Sequence, residues 1–174
     1  MRYFYDTEFL DNGRTIDLIS IGIIADDGRE YSAHVDGYDW AAAAAHPFVS
    51  TEVLPHLADI PQRPREQVAD EIAEFLDPDT RPELWGYFPA YDHVCLAQLW
   101  GTMLDPPPHI PQRTNCIAQL GQLLHASEPP VSNNAAHDAL ADARWTRDVF
   151  NGIIDNHPLQ TLPNHQTDRS AHHV

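Results

Sequence analysis

Residues 2–35 read RYFYDTEFLDNGRTIDLISIGIIADDGREYSAHV, and this stretch decides the fold. Over 2–8 the side chains alternate, with Phe4, Asp6 and Glu8 on one face of a strand and Tyr3 and Tyr5 on the other. Asp11-Asn12-Gly13 is a turn. Residues 15–25, TIDLISIGIIA, are β-branched and nearly all apolar, which suits a central strand buried on both faces. Asp26-Asp27-Gly28 then turns the chain tightly into 29–35 and closes a hairpin. The expectation is three consecutive antiparallel strands.

Downstream the period changes from that of a strand to that of a helix. Residues 41–57 open on the run Ala41–Ala45, which favours a helix intrinsically. Residues 65–76 place Val68, Ile72, Phe75 and Leu76 at helical spacing, and Pro78 and Pro82 follow as punctuation. Leu84-Trp85-Gly86-Tyr87 reads as a short strand. A helix is predicted over 90–104, with Leu96, Leu99, Trp100 and Met103 inward and Pro106-Pro107-Pro108 ending it. Two more helices are predicted over 115–125 and 137–157. Residues 158–174 lose periodicity and read as a flexible or partner-bound tail. Strands first and helices afterwards predict an α/β fold: a mixed sheet flanked by helices, in one domain over 1–157.

Composition narrows the chemistry. Hydrophobic residues are 43% and charged residues 21% of the 174, as in an ordinary soluble domain. No apolar run approaches the roughly 20 residues that span a bilayer, and MRYFYDTEF is an acid-bearing strand rather than a signal peptide. The expected location is cytoplasmic, with no membrane contact. Cys95 and Cys116 form no CxxC pair and are expected as buried thiols. Ten basic residues face 26 acidic ones, for a net charge of −16, and all ten are arginine. Without lysine, Schiff-base catalysis and a P-loop are excluded. So acidic a chain does not coat duplex nucleic acid, which demands a basic surface. It can still grip a strand end if bound metal ions supply the positive charge locally.

Four carboxylates and one histidine carry the candidate chemistry. Asp6 and Glu8 lie two apart on a strand, so both point to the same side, an unfavourable pairing unless something binds between them. Asp92 precedes Leu96 by four and Leu99 by seven, which turns it toward the apolar face of its helix. His137 and Asp142 lie five apart, about 140° around a continuous helix, so they converge only if His137 sits in a loop after Ser132-Asn133-Asn134. Ala139, Ala143 and Thr146 give that helix a small-residue face for close packing on a sheet. His34 and Asp39 share the same spacing, but fall at a strand end and loop around Gly37 and read as structural or solvated.

The segments YDTEFL, PAYDHVCL and HDALADARWT resemble the three motifs of the DEDD superfamily of 3′–5′ exonucleases, in the subclass with histidine in the third motif. Ile21-Gly22 stands where that family places an Ile-Gly pair. The likeness covers about residues 2 to 155 and is greatest to the compact exoribonucleases of actinobacteria, similar in outline to ribonuclease T and oligoribonuclease. It implies a ribonuclease H-like fold and two Mg2+ or Mn2+ ions held by Asp6, Glu8, Asp92 and Asp142. It also implies His137 as general base, and nucleoside 5′-monophosphate as the product released from single-stranded or short-overhang RNA 3′ ends. A homodimer is implied by the relatives. Thr7, Phe9, Leu10, Trp85 and Arg144 are the substrate-binding candidates, Phe9 and Trp85 as stacking platforms, Leu10 as a wedge, Arg144 toward phosphate. Phe88 replaces the Asn many members carry before the second-motif Asp, and Ser20 the Glu before Ile-Gly. The alternatives are a proofreading-type DNA exonuclease, a small-oligonucleotide hydrolase and an inactive binding domain. The last predicts loss of one of the five residues, and none is lost.

Overall fold

The computed structural model describes residues 1–58, 60–127, 129 and 137–157. The expected loop at Ser132-Asn133-Asn134 and the expected tail at 158–174 lie outside the described residues.

Three long strands open the fold: β1 (Arg2–Asp11), β2 (Ile16–Ala25) and β3 (Glu30–Val35). They are antiparallel, as the first hairpins predict, and lie side by side. Two further strands, β5 (Glu83–Gly86) and β6 (Thr114–Cys116), pair parallel beyond β1, and the two-residue β4 (Gln62–Arg63) pairs parallel with β3. The sheet order is β4-β3-β2-β1-β5-β6, so β1 is the seam between the antiparallel and parallel halves. This is the mixed sheet flanked by helices that the sequence predicts.

The faces of β1 sort as the alternation requires. Tyr3 and Tyr5 join a core under α2 (Arg65–Phe75) and α3 (Ala90–Gln98), built with Val68, Ile72, Cys95 and Leu96. Phe4 joins the opposite core under α4 (Ile117–Leu123) and α5 (Ala139–Asn156), against Phe150, Val149 and Ile153. Each such side chain contributes about 1.5–3 kcal/mol by leaving water. A bulge pairs Glu8 with Ser20 but Phe9 with Leu18, so Ile19 is the extra residue. Ile19 and Leu10 then fall into a third cluster with Tyr38, Val49, Val53 and Leu57.

Four sequence expectations are corrected. The helix over 41–57 is three pieces: α1 (Trp40–Ala45), a π-helical turn (Val49–Val53) and a 3-10 turn (Leu54–Leu57). His46 is extended because Pro47 follows it, and that bars the helical region. The helix over 90–104 stops at Gln98, where hydrogen bonds tighten to i→i−3 and Gly101 takes φ +111°. Met103, expected inward, is exposed in consequence. Asn115 and Cys116, expected to open the helix over 115–125, are instead strand, because Trp85 and Gly86 pair with them, and α4 begins at Ile117. Strand β4 was not anticipated; two residues carry no periodic signal.

No helix among the described residues is long and apolar enough to cross a membrane.

Candidate active site

The site lies where α5 meets the seam strand. Gly22 of β2 pairs with Asp6 of β1, and a Cβ at Gly22 would come within 2.3 Å of the Leu140 backbone. Only glycine lets the first turn of α5 press onto the sheet there. Asp138 caps that helix by accepting from the Ala141 amide at 2.9 Å, which fixes where the helix starts. Asp142 therefore projects from the first turn beside Asp6 and Glu8.

His137 does lie just before the helix, in the left-handed region at φ +71°. Its backbone amide donates to Asp142 Oδ2 at 2.7 Å. This bends the chain so that Glu8, His137 and Asp142 bring one ligand atom each to within 4.8 Å of one another. The His137 ring packs against Phe48 at 4.6 Å between centroids and 81° between planes. Asp92, in the first turn of α3, accepts from the Thr7 amide at 3.0 Å and the Thr7 hydroxyl at 2.7 Å, which anchors α3 to β1.

The acids are packed together, with Asp6 and Glu8 each held by burial and by acidic neighbours. Glu8 and Asp92 are each 8% exposed. None of the ion pairs among the described residues includes Asp6, Glu8, Asp92 or Asp142. Burial, and then the charges of Asp92, Glu8 and Asp142, hold the Asp6 carboxyl well above the usual range. Burial, then Asp142 and Asp92, push Glu8 up to about 8. Burial also raises Asp92 and Asp142, opposed by the Thr7 hydrogen bonds at the first and the His137 amide at the second. Protonation at neutral pH and binding of a cation are the two ways to relieve such a cluster.

The five substrate-binding candidates divide. Phe9 stacks on Tyr91 at 5.8 Å and 30° and packs against the core under α2 and α3. Thr7 serves Asp92, as above. Leu10 is buried in the third cluster, and Trp85 packs edge-on to Phe150 in the second core. Arg144 is held by Glu30 of β3 through two hydrogen bonds of 2.7 and 2.6 Å. A cavity of about 910 Å³ runs from Asp6 and Asp142 between α4 and α5, past Phe88, Gln122, His125 and Trp145.

Sequence reasoning missed Phe48, which follows Pro47 in a segment with no regular period. The alternation of β1 could have found the role of Thr7, since it must face away from Asp6 and Glu8. The decoy pair is structural, as read: His34 Nδ1 donates to the Ile60 carbonyl, Nε2 accepts from the Tyr38 hydroxyl, and Asp39 caps α1.

A family described as the Rv2179c-like 3′-5′ exoribonuclease domain matches residues 1–154. The chain is also similar to 3′-5′ exoribonuclease Rv2179c of Mycobacterium tuberculosis strain H37Rv and to 3′-5′ exoribonuclease MT2234.1 of strain CDC 1551 / Oshkosh. Each is 46% identical over 149 residues, spanning 83% of this chain and 88% of the relative.

Proposed function

This chain belongs to the Rv2179c-like 3′-5′ exoribonuclease family, and on that premise we propose that it hydrolyses RNA from the 3′ end with divalent cations held by Asp6, Glu8, Asp92 and Asp142. The observation that carries the reading is the convergence of Glu8, His137 and Asp142 beside Asp6, with no cationic side chain paired to any of the four acids among the described residues. A set of carboxylates fits two hard, oxygen-seeking ions, Mg2+ or Mn2+. When bound, such ions supply Lewis acidity toward a phosphodiester and neutralise developing negative charge.

The chain's own residues do the rest. The ring of His137 accepts a proton from the attacking water, as general base. The hydrogen bond from its backbone amide to Asp142 and the T-shaped contact with Phe48 hold that ring toward the acids. Thr7 fixes Asp92, and with it the start of α3, against β1. Phe9 and Tyr91 present faces on which the terminal bases stack. The product is a nucleoside 5′-monophosphate. The subclass with histidine in the third motif, the ribonuclease H-like kinship, a cytoplasmic location and a homodimer belong to the same proposal. The homodimer is supported by the resemblance of the motifs and by Val94, Met103 and Leu104, which are large, apolar and exposed.

Matched RNA and DNA oligomers with a 5′ label, incubated with Mg2+ or Mn2+, test the activity. Stepwise shortening of RNA with release of mononucleotides is expected. Faster cleavage of DNA, or of dinucleotides alone, would overturn the substrate. Sedimentation analysis of the full chain tests the dimer.

A further inference from the structure

We propose that Glu8, His137 and Asp142 form a second coordination mode, a three-ligand nitrogen–oxygen site for Zn2+ that silences the enzyme when filled. The inhibitory half rests on the reading of His137 as general base; the binding half does not.

Three observations carry it. One ligand atom from each residue already lies within 4.8 Å of the other two, so a modest closure brings all three onto one ion. Glu8 is 8% exposed and belongs to none of the ion pairs among the described residues, so a largely buried carboxylate at the site has no cationic side chain beside it. The ring of His137 is also not free to swing outward. Phe48 packs on it at 4.6 Å, and the amide of the same residue is tied to Asp142.

The donor chemistry decides which ion benefits. One imidazole and two carboxylates make the mixed set of open zinc sites, which keep three protein ligands and one exchangeable position. Mg2+ prefers oxygen alone and gains little from the imidazole, whereas affinity of nitrogen-containing sites rises steeply toward Cu2+ and Zn2+. The two modes exclude one another. A nitrogen whose lone pair is donated to Zn2+ cannot accept a proton from water, and Glu8 and Asp142 cannot serve both arrangements at once.

The test is direct binding of Zn2+ to the metal-free full chain, measured by titration calorimetry, with Mn2+ titrated in parallel. His165, His172 and His173 are replaced by alanine in every sample so that histidines near the C-terminus do not contribute. We expect His137→Ala to weaken Zn2+ binding by at least about tenfold while Mn2+ binding is unchanged. Equal Zn2+ affinity with and without His137 would overturn the site. In a second arm, Zn2+ added to enzyme saturated with Mg2+ should stop RNA cleavage, and excess Mg2+ with a zinc chelator should restore it. Binding through His137 without inhibition would overturn the silencing. Should the enzyme cleave no RNA under Mg2+ or Mn2+ alone, the functional reading fails while the zinc-binding result stands by itself.

Discussion

Two histidine–aspartate pairs with the same spacing sit in different regions of this molecule and meet opposite fates. At His34–Asp39 both ring nitrogens are occupied, one by the Ile60 carbonyl and one by the Tyr38 hydroxyl, and the aspartate caps a short helix. At His137–Asp142 the aspartate binds the histidine's backbone amide instead, which leaves the ring to face the acids. In the second pair Asp138 does the capping, and this frees Asp142 for other work. Spacing alone therefore says little. What matters is which residue closes the helix and what remains unsatisfied afterwards.

The comparison breaks most sharply under substitution of the rings. His137→Ala should lower kcat on RNA by about 10²–10⁴-fold, whereas His34→Ala should leave kcat in place; steady-state rates on a labelled oligomer decide. The next largest effect is expected at Gly22. A methyl group there meets the Leu140 backbone, so Gly22→Ala should cost about 1–3 kcal/mol of stability, as overpacking does, and carry Asp142 away from Asp6, losing activity too. Chemical denaturation together with rates checks both.

His34→Ala comes third: it should cost about 1–3 kcal/mol, because the Tyr38 hydroxyl and the Ile60 carbonyl lose a buried partner, and denaturation with rates unchanged would confirm a purely structural pair. The acids themselves give a smaller, pH-dependent signature. Their folded pKa values are raised, so the metal-free fold binds more protons than the unfolded chain and loses stability as pH rises. For Glu8 that window runs from its ordinary 4.5 to about 8. Thermal melts of metal-free protein should fall between pH 5 and 8, and Mg2+ or Mn2+ should raise the midpoint more at pH 8 than at pH 5. The smallest effect is expected on the surface. Arg144→Gln should change stability by less than about 1 kcal/mol, since the pair with Glu30 is solvent-exposed; a raised KM for RNA would show that Arg144 also reaches phosphate.

The long elements were legible because their periods are long. Strand β2 is apolar along nearly all its length, and α5 repeats its buried positions from Ala139 to Ile153. The acids were legible for a related reason: Asp6 and Glu8 share a strand face, and Asp92 stands where its helix should be apolar. What escaped is short or broken. Gln62–Arg63 is a strand only because β3 lies beside it, and the helix expected over 41–57 fails at Pro47. Phe48 escaped for another reason: it acts on His137, distant in sequence, and the contact leaves no local mark. The part of Thr7 was within reach, since the alternation of β1 turns it away from Asp6 and Glu8.

Thr7 has a consequence of its own. Strand β1 is hydrogen-bonded to β5 only as far as Phe4, so the Thr7 amide has no parallel strand opposite it; its partner is the carboxylate of Asp92. A side chain thus completes a stretch of backbone that the sheet leaves unpaired. Hydrogen exchange at that single amide then becomes a gauge of whether α3 is docked. Asp92→Ala should speed it and Asp92→Asn slow it again, so that loss of a ligand and loss of an anchor are told apart at one atom.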